Sequence, residues 1–377
     1  MRHLMCRRLP LLAVLALLIS PLSACTGTAA SPTAAAPAAI RSSAAGSQPA
    51  PAVWHQASIN QPAPLPRDAQ SMVYNTTARS VVVFGGKGTR DRYFNDLWAY
   101  HNATSTWTRL TPAGILPAPR FGQGMAYDSA LGTIVIFGGV SVAGATPQLS
   151  ADTWSYNSHT SRWTHSGQAM DHPAARLYPS MAYDPVTRTV ILFGGWTGTD
   201  AFSDTWSYDT RTGRWTRVST IGMPHARWGS ALIYDPVTGK IILFGGLFGS
   251  YDGKHRLNDT WAYDPAKKTW TNLKPTGAVP PARAYAAAAY DHSAGKLVLF
   301  GGFAGPLGLL DDTWTYDPAT RRWTALGRSQ HQPSRRDFSS MAYDPAAGQV
   351  VLFGGQTGIS GNVNATDLND TWLLRIS

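Results

Sequence analysis

Val190-Ile191-Leu192-Phe193-Gly194-Gly195, then Asp204-Thr205-Trp206-Ser207-Tyr208-Asp209, then Arg214-Trp215: this order decides the fold, because it recurs. A hydrophobic run closing in Phe-Gly-Gly, an Asp-Thr-Trp or close variant and a second tryptophan appear six times, at a period of about 53 residues. The glycine pairs are Gly85-Gly86, Gly138-Gly139, Gly194-Gly195, Gly245-Gly246, Gly301-Gly302 and Gly354-Gly355. The first tryptophan series is Trp98, Trp154, Trp206, Trp261, Trp314 and Trp372; the second is Trp54, Trp107, Trp163, Trp215, Trp270 and Trp323. Twelve of the 14 tryptophans therefore read as scaffold. A period of about 40 to 50 residues or slightly more, with paired glycines and aromatics, belongs to propeller arrays rather than to short solenoid repeats.

Each unit reads as four strands separated by polar turns. In Asp184-Pro185-Val186-Thr187-Arg188 and Asp264-Pro265-Ala266-Lys267-Lys268, Pro fixes φ and Asp bonds its own backbone, which suits a tight link between strands. Helical periodicity is nearly absent, so the chain reads as all-β. The pattern resembles the kelch repeat, with paired glycines after a hydrophobic strand, an aromatic residue in the third strand and a Trp in the fourth. The likeness spans Ala52 to Ser377 and implies a six-bladed β-propeller. Trp54 stands before Gly85 at the same spacing as Trp107 before Gly138, so it is a fourth-strand Trp without a blade, whereas the last unit ends just after Trp372. The segment around Val53 and Trp54 is therefore expected to complete the last blade and close the ring.

The N-terminal residues read differently. Arg2, Arg7 and Arg8 precede an apolar run from Leu9 to Leu22 that is too short for a membrane span and suits an export signal. It ends in Leu22-Ser23-Ala24-Cys25, which resembles a bacterial lipobox with Cys25 as the lipidated mature N-terminus. Residues 1–24 thus read as a lipoprotein signal peptide, 25–51 as a tether of Ala, Pro, Ser and Thr too poor in apolar bulk to fold, and 52–377 as the propeller. The expected protein is a bacterial, extracytoplasmic monomer anchored to the cell membrane. Its net charge of +10 falls to about +7 without the leader arginines, and no basic stripe points to nucleic acid.

Topology places function on one face. The loops after the glycine pairs are long and varied: 87–95, 140–151, 247–258, 303–311 and 356–369. The turns on the opposite face are short and repetitive, and irregular loops on a rigid frame are where binding concentrates. Near the varied face every unit repeats an arginine (Arg67, Arg120, Arg176, Arg227, Arg283, Arg336) and an aspartate (Asp96, Asp152, Asp204, Asp259, Asp312, Asp370). These read either as one structural ion pair per blade or as a ring of arginines gripping a ligand carboxylate. Trp196, Trp228, Phe303, Tyr178 and Tyr285 differ from unit to unit and are candidate ligand contacts, stacking on sugar rings or anchoring a protein, with packing between blades as the alternative.

Signals for catalysis are thin. His165, His172, His225, His255 and His331 fall in varied-face segments without paired ligand spacing, so no metal or other cofactor is expected. Kelch oxidases of the galactose oxidase kind use copper with a Cys-Tyr crosslink, and with Cys25 lipidated the propeller has no Cys for it. Sialic acid mutarotases share the resemblance; there an arginine-rich mouth would bind the sugar carboxylate. Glu is absent from the chain, so any acid would be an Asp, such as Asp91, Asp200, Asp252 or Asp337. The expectation is a binding module for an envelope or secreted protein or a glycan, with a mutarotase-like sugar enzyme as the rival.

Overall fold

A computed structural model describes residues 52–376 except 60–61, 145, 167–170, 250–254 and 359–364. The expectations for the leader, the tether and Cys25 lie outside the described residues, as does Asp252. The chain is an all-β, multi-bladed array of antiparallel sheets. Six four-stranded sheets occur among the described residues; their first strands are Ser71–Asn75, Gly124–Asp128, Ser180–Asp184, Ala231–Asp235, Ala287–Asp291 and Ser340–Asp344.

The third sheet shows why the repeat takes this form. Its second strand, Thr189–Phe193, is hydrophobic without alternation because both of its faces are covered. Val190 and Leu192 pack with Val135 and Phe137 of the second sheet. Ile191 and Phe193 pack with Leu232, Ile241 and Leu243 of the fourth. The core therefore lies between sheets rather than within one. Leu192 pairs with Trp206, and Tyr208 pairs with Trp215, the two rings meeting at a tilt with centroids 4.9 Å apart. The Trp215 indole then donates to the Thr153 hydroxyl of the second sheet at 2.9 Å. Trp270 to Thr205 and Trp323 to Thr260 repeat that link between neighbouring sheets, each at 3.0 Å. On the turn face, the Asp184 carboxylate accepts from the Val186 and Thr187 amides, which fixes the Asp-Pro turn.

The two ends of the described chain meet. Val53–Gln56 pairs antiparallel with Thr371–Arg375, so that Trp54 lies opposite Leu374 in the register that sets Trp107 opposite Tyr100. The Trp54 indole donates to Thr313 of the fifth sheet at 3.0 Å, and its ring meets Phe300 edge-on at 5.1 Å. The first strand of each sheet touches the first strand of the next, and Ser340–Asp344 touches Ser71–Asn75.

Trp54 is 4 % exposed, and removal of a buried ring of this size costs about 3–5 kcal/mol. Trp54→Ala is expected to lower the thermal midpoint sharply, whereas Val53→Ala, at an exposed neighbour, leaves it nearly unchanged. Scanning calorimetry of both variants checks this; equal midpoints would mean that the first strand adds little to the sixth sheet.

Candidate functional site

The varied face is built on the repeated arginines. Arg176 is typical. Its Nη1 and Nη2 donate to the two Asp204 carboxylate oxygens at 2.6 and 2.9 Å, Nη1 also donates to the Gly194 carbonyl, and Nε donates to the Ala174 carbonyl. Asp204 in turn accepts from the Trp206 indole at 2.7 Å. The same fork joins Arg67 to Asp96, Arg120 to Asp152, Arg227 to Asp259, Arg283 to Asp312 and Arg336 to Asp370, each with a shortest contact of 2.6 Å. All six arginines are 0 or 1 % exposed. The arginines are thus committed to the frame, and the mouth presents no open ring of guanidinium groups to a carboxylate ligand.

Each arginine also ties two sheets together through its backbone. The Arg227 carbonyl accepts from Gly195 of the preceding sheet and its amide donates to the Phe202 carbonyl of that sheet. The approach explains the glycine pair: a Cβ on Gly245, where φ is +66°, would lie 2.7 Å from the Arg283 carbonyl oxygen. Two residues after each arginine the chain turns left-handed, at Ala69, Gly122, Tyr178, Gly229, Tyr285 and Phe338. The amide of each donates to the carbonyl of the one before, and Ala69 donates to Phe338. Tyr178, Tyr285 and Phe338 cluster there, with ring centroids 4.1 to 5.3 Å apart. Gly229 makes room for one of them, since a Cβ there would stand 2.5 Å from Tyr285 Cε1.

Trp196 and Trp228, expected as stacking platforms, are 2 % and 0 % exposed and stack on each other at 4.9 Å. They belong to the cluster of Val140, Leu177, Leu247 and Ala284, so packing is what they do in this conformation and neither ring face is open to a sugar. Tyr178 and Tyr285 are half-buried beside them. Phe303 is half-buried under the Arg256 guanidinium, 4.2 Å from the ring centroid. The histidines are dispersed: His165 lies against Trp154, His225 and His255 flank Phe248, and His172 Nδ1 contacts the Pro173 carbonyl. Among the described residues no three His, Cys or Asp side chains are grouped as metal ligands.

Comparison of the sheets at the mouth exposes residues that the sequence reading passed over. The residue after each arginine bridges the residue after the glycine pair, which is bridged again from the far side of the loop. In the second to fifth sheets these triplets are Phe121, Val140, Leu149; Leu177, Trp196, Ala201; Trp228, Leu247, Arg256; and Ala284, Phe303, Leu309. The first and sixth carry Asp68, Lys87, Tyr93 and Asp337, Gln356, Asp367 instead. In the first and sixth sheets only Asp337 was a candidate, whereas Trp196, Trp228 and Phe303 were candidates in the others. Burial, then the charge of Asp367, pushes the Asp68 carboxyl far above the usual carboxylate range, with Lys87 pulling against it. Asp68 hydrogen-bonds Asp367, whose own carboxyl burial also raises. Burial pushes Asp337 up to about 8. The signal was available in the residue that follows each arginine, which changes type from unit to unit.

These features define a kelch-type repeat protein, and comparison with known proteins gives the particular family. Residues 48–246 and 235–377 match the KLHDC2/KLHL20/DRC7 Kelch-repeats domain, so the chain belongs to that family. It is 26 % identical over 326 residues to Kelch domain-containing protein 3 of Bos taurus, covering 79 % of this chain and 81 % of that one. Kelch domain-containing protein 10 of Xenopus tropicalis is 25 % identical over 291 residues, covering 74 % and 67 %. Mei4-dependent protein 6 of Schizosaccharomyces pombe is 29 % identical over 195 residues, covering 47 % and 28 %.

These relatives correct the expectation of a bacterial lipoprotein. They are eukaryotic proteins, with no bacterial envelope protein among them, so the extracytoplasmic, membrane-anchored assignment, the envelope or glycan partner and the lipidated Cys25 are withdrawn. No helix among the described residues is long and apolar enough to cross a membrane. The mutarotase-like rival is withdrawn with them, because the arginine-rich mouth it requires is occupied by ion pairs.

The two kinds of carboxylate give opposite pH dependence. Burial works against the charged forms of Asp96, Asp152, Asp204, Asp259 and Asp312, but the arginine forks and indole hydrogen bonds overcome it and hold them below the usual range. Their contribution is complete above the unfolded value of about 3.9 and is lost as pH falls through the lower folded value. Asp204→Ala, which leaves Arg176 buried and unpaired, is expected to cost about 3–5 kcal/mol in denaturant unfolding at pH 7. Asp337, raised in the fold, destabilises progressively as pH climbs from about 4 towards 8. Asp337→Asn should match the parent near pH 4 and melt above it at pH 8.5; equal midpoints at both would mean the carboxylate is already compensated.

Proposed function

We propose that the six sheets close into a six-bladed kelch propeller spanning residues 52–377, and that it is a protein-binding scaffold that works without catalysis. The cyclic run of amide-to-carbonyl bonds from Ala69 through Phe338 and back supports closure. So does the pairing of Val53–Gln56 with Thr371–Arg375. The N-terminal strand covers the edge of Thr371–Arg375 that would otherwise lie open.

The observation that carries the binding reading is the contrast on one face. Arginine, aspartate, tryptophan and glycine are held in the same contacts in all six sheets, while the triplets above them differ in every sheet. A frame that repeats needs no such variation; a surface made to fit one irregular partner does. The half-buried aromatics Tyr93, Phe121, Tyr178, Tyr285 and Phe338 at this mouth suit protein contact, since aromatic rings give large contact area for little lost freedom.

Two variants separate this face from the other. Phe248→Ala with Leu307→Ala alters exposed side chains on the varied loops, and Val186→Ala with Val237→Ala alters exposed ones on the turn face. For a partner recovered with the full chain, binding is expected to weaken at least tenfold in the first variant, about 1.4 kcal/mol, and to stay unchanged in the second. Loss in the second alone would move the site to the turns.

A further inference from the structure

The mouth is polarised in a way the frame does not require. Four consecutive sheets place mainly apolar side chains in the triplet positions, and the two remaining sheets, which are neighbours, place carboxylates there. Asp68 lies close enough to Asp367 and Asp337 for both to raise its carboxyl, and Asp337 and Asp367 bridge the same residue, Gln356, from its two sides. Asp337 is 3 % exposed and its Oδ1 has no hydrogen-bond partner. A buried carboxylate oxygen without a donor is unfavourable unless something supplies a proton or a cation. Lys87, the one cation in these two triplets, is 3.3 Å from Asp91, and the nearest arginines, Arg67 and Arg336, are already forked to Asp96 and Asp370. The acidic corner is therefore short of positive charge on a molecule whose formal net charge is +10.

Its surroundings fit a particular donor. Phe338 follows Asp337 and stacks on Tyr285 at 4.1 Å, and Tyr93, which pairs with Lys87, stacks on Phe121 at 5.7 Å. Half-buried aromatic faces beside carboxylates accept the stem and head of a long basic side chain. The same three carboxylates are not grouped as ligands for a bare metal ion.

We propose that the corner formed by Asp68, Asp337 and Asp367 receives an arginine or lysine side chain of a protein partner, with Phe338 and Tyr93 beside it. This rests on the protein-binding reading above and names the chemistry of its anchor. A cation held there favours the ionised carboxylates over the neutral ones, so affinity strengthens as pH rises towards the raised range of Asp337. The charged and titratable groups facing the corner are Lys87, Asp91 and Tyr93 from the first sheet, with Arg67 and Arg336 at its base.

The test is a random peptide library selected on the full chain at pH 8.5, followed by affinity measurements on the selected peptides at pH 8.5 and 6.0. Asp68→Asn with Asp337→Asn is the informative variant: it removes two charges the fold holds at a disadvantage, so it is expected to remain folded. The proposal expects one fixed Arg or Lys among the selected peptides. It also expects at least tenfold weaker binding when that residue becomes norleucine or when the Asn variant is used, and weaker binding at pH 6.0. Peptides that bind without a fixed basic residue, or whose affinity the Asn variant leaves unchanged, would overturn the anchor and keep the protein-binding reading. If no peptide binds, and methylguanidinium shifts no resonance that the Asn variant leaves unshifted, both are overturned.

Discussion

The buried arginine fork is the interaction on which the rest of the structure depends. One residue does three things in each sheet. Its guanidinium closes the sheet's own third strand through the aspartate, its Nη1 caps the first glycine carbonyl, and its backbone docks onto the preceding sheet. Because the guanidinium is excluded from water, it must be paired at every turn of the repeat. The aspartate carboxylate and two backbone carbonyls accept from it in a planar geometry a lysine could not reproduce, and the indole of the nearby tryptophan donates to the aspartate and holds it in place. Glycine is required opposite because the arginine carbonyl comes closer than a side chain allows.

Much of this was legible in the chain before any coordinates. The period, the glycine pairs and the two tryptophan series specified four-stranded repeats, and the unpaired Trp54 pointed to an N-terminal strand beside the last sheet, where it is found. The arginine and aspartate at matching positions left two readings open, because spacing says that two groups share a blade and not which way they point. Burial decides between them. Trp196 and Trp228 likewise left two readings open, ligand contact or packing between blades. Trp196 follows a glycine pair in a loop and Trp228 lies in a short strand, and the two buried rings stack on each other at 4.9 Å.

The acidic corner was the least legible part. Asp68 and Asp367 are ordinary polar residues in a linear reading, separated by most of the chain. They meet only because the last sheet lies beside the first. The reading of the N-terminal segment failed differently. A charged, apolar and small-residue sequence ending in Cys25 fits an export signal by composition alone, and composition carries no information about lineage; the eukaryotic kelch relatives supplied it.

The run of left-handed residues that follow the arginines has a consequence for how this sequence can drift. Tyr178 and Tyr285 each lean over a glycine, Gly122 and Gly229, belonging to the sheet before. A larger residue at Gly229 has space only if Tyr285 shrinks at the same time, and one at Gly122 only if Tyr178 and the adjoining Leu177 both give way. The two members of each couple, more than fifty positions apart in the chain, are thus heritable as a unit, and neighbouring sheets cannot change their central residue independently.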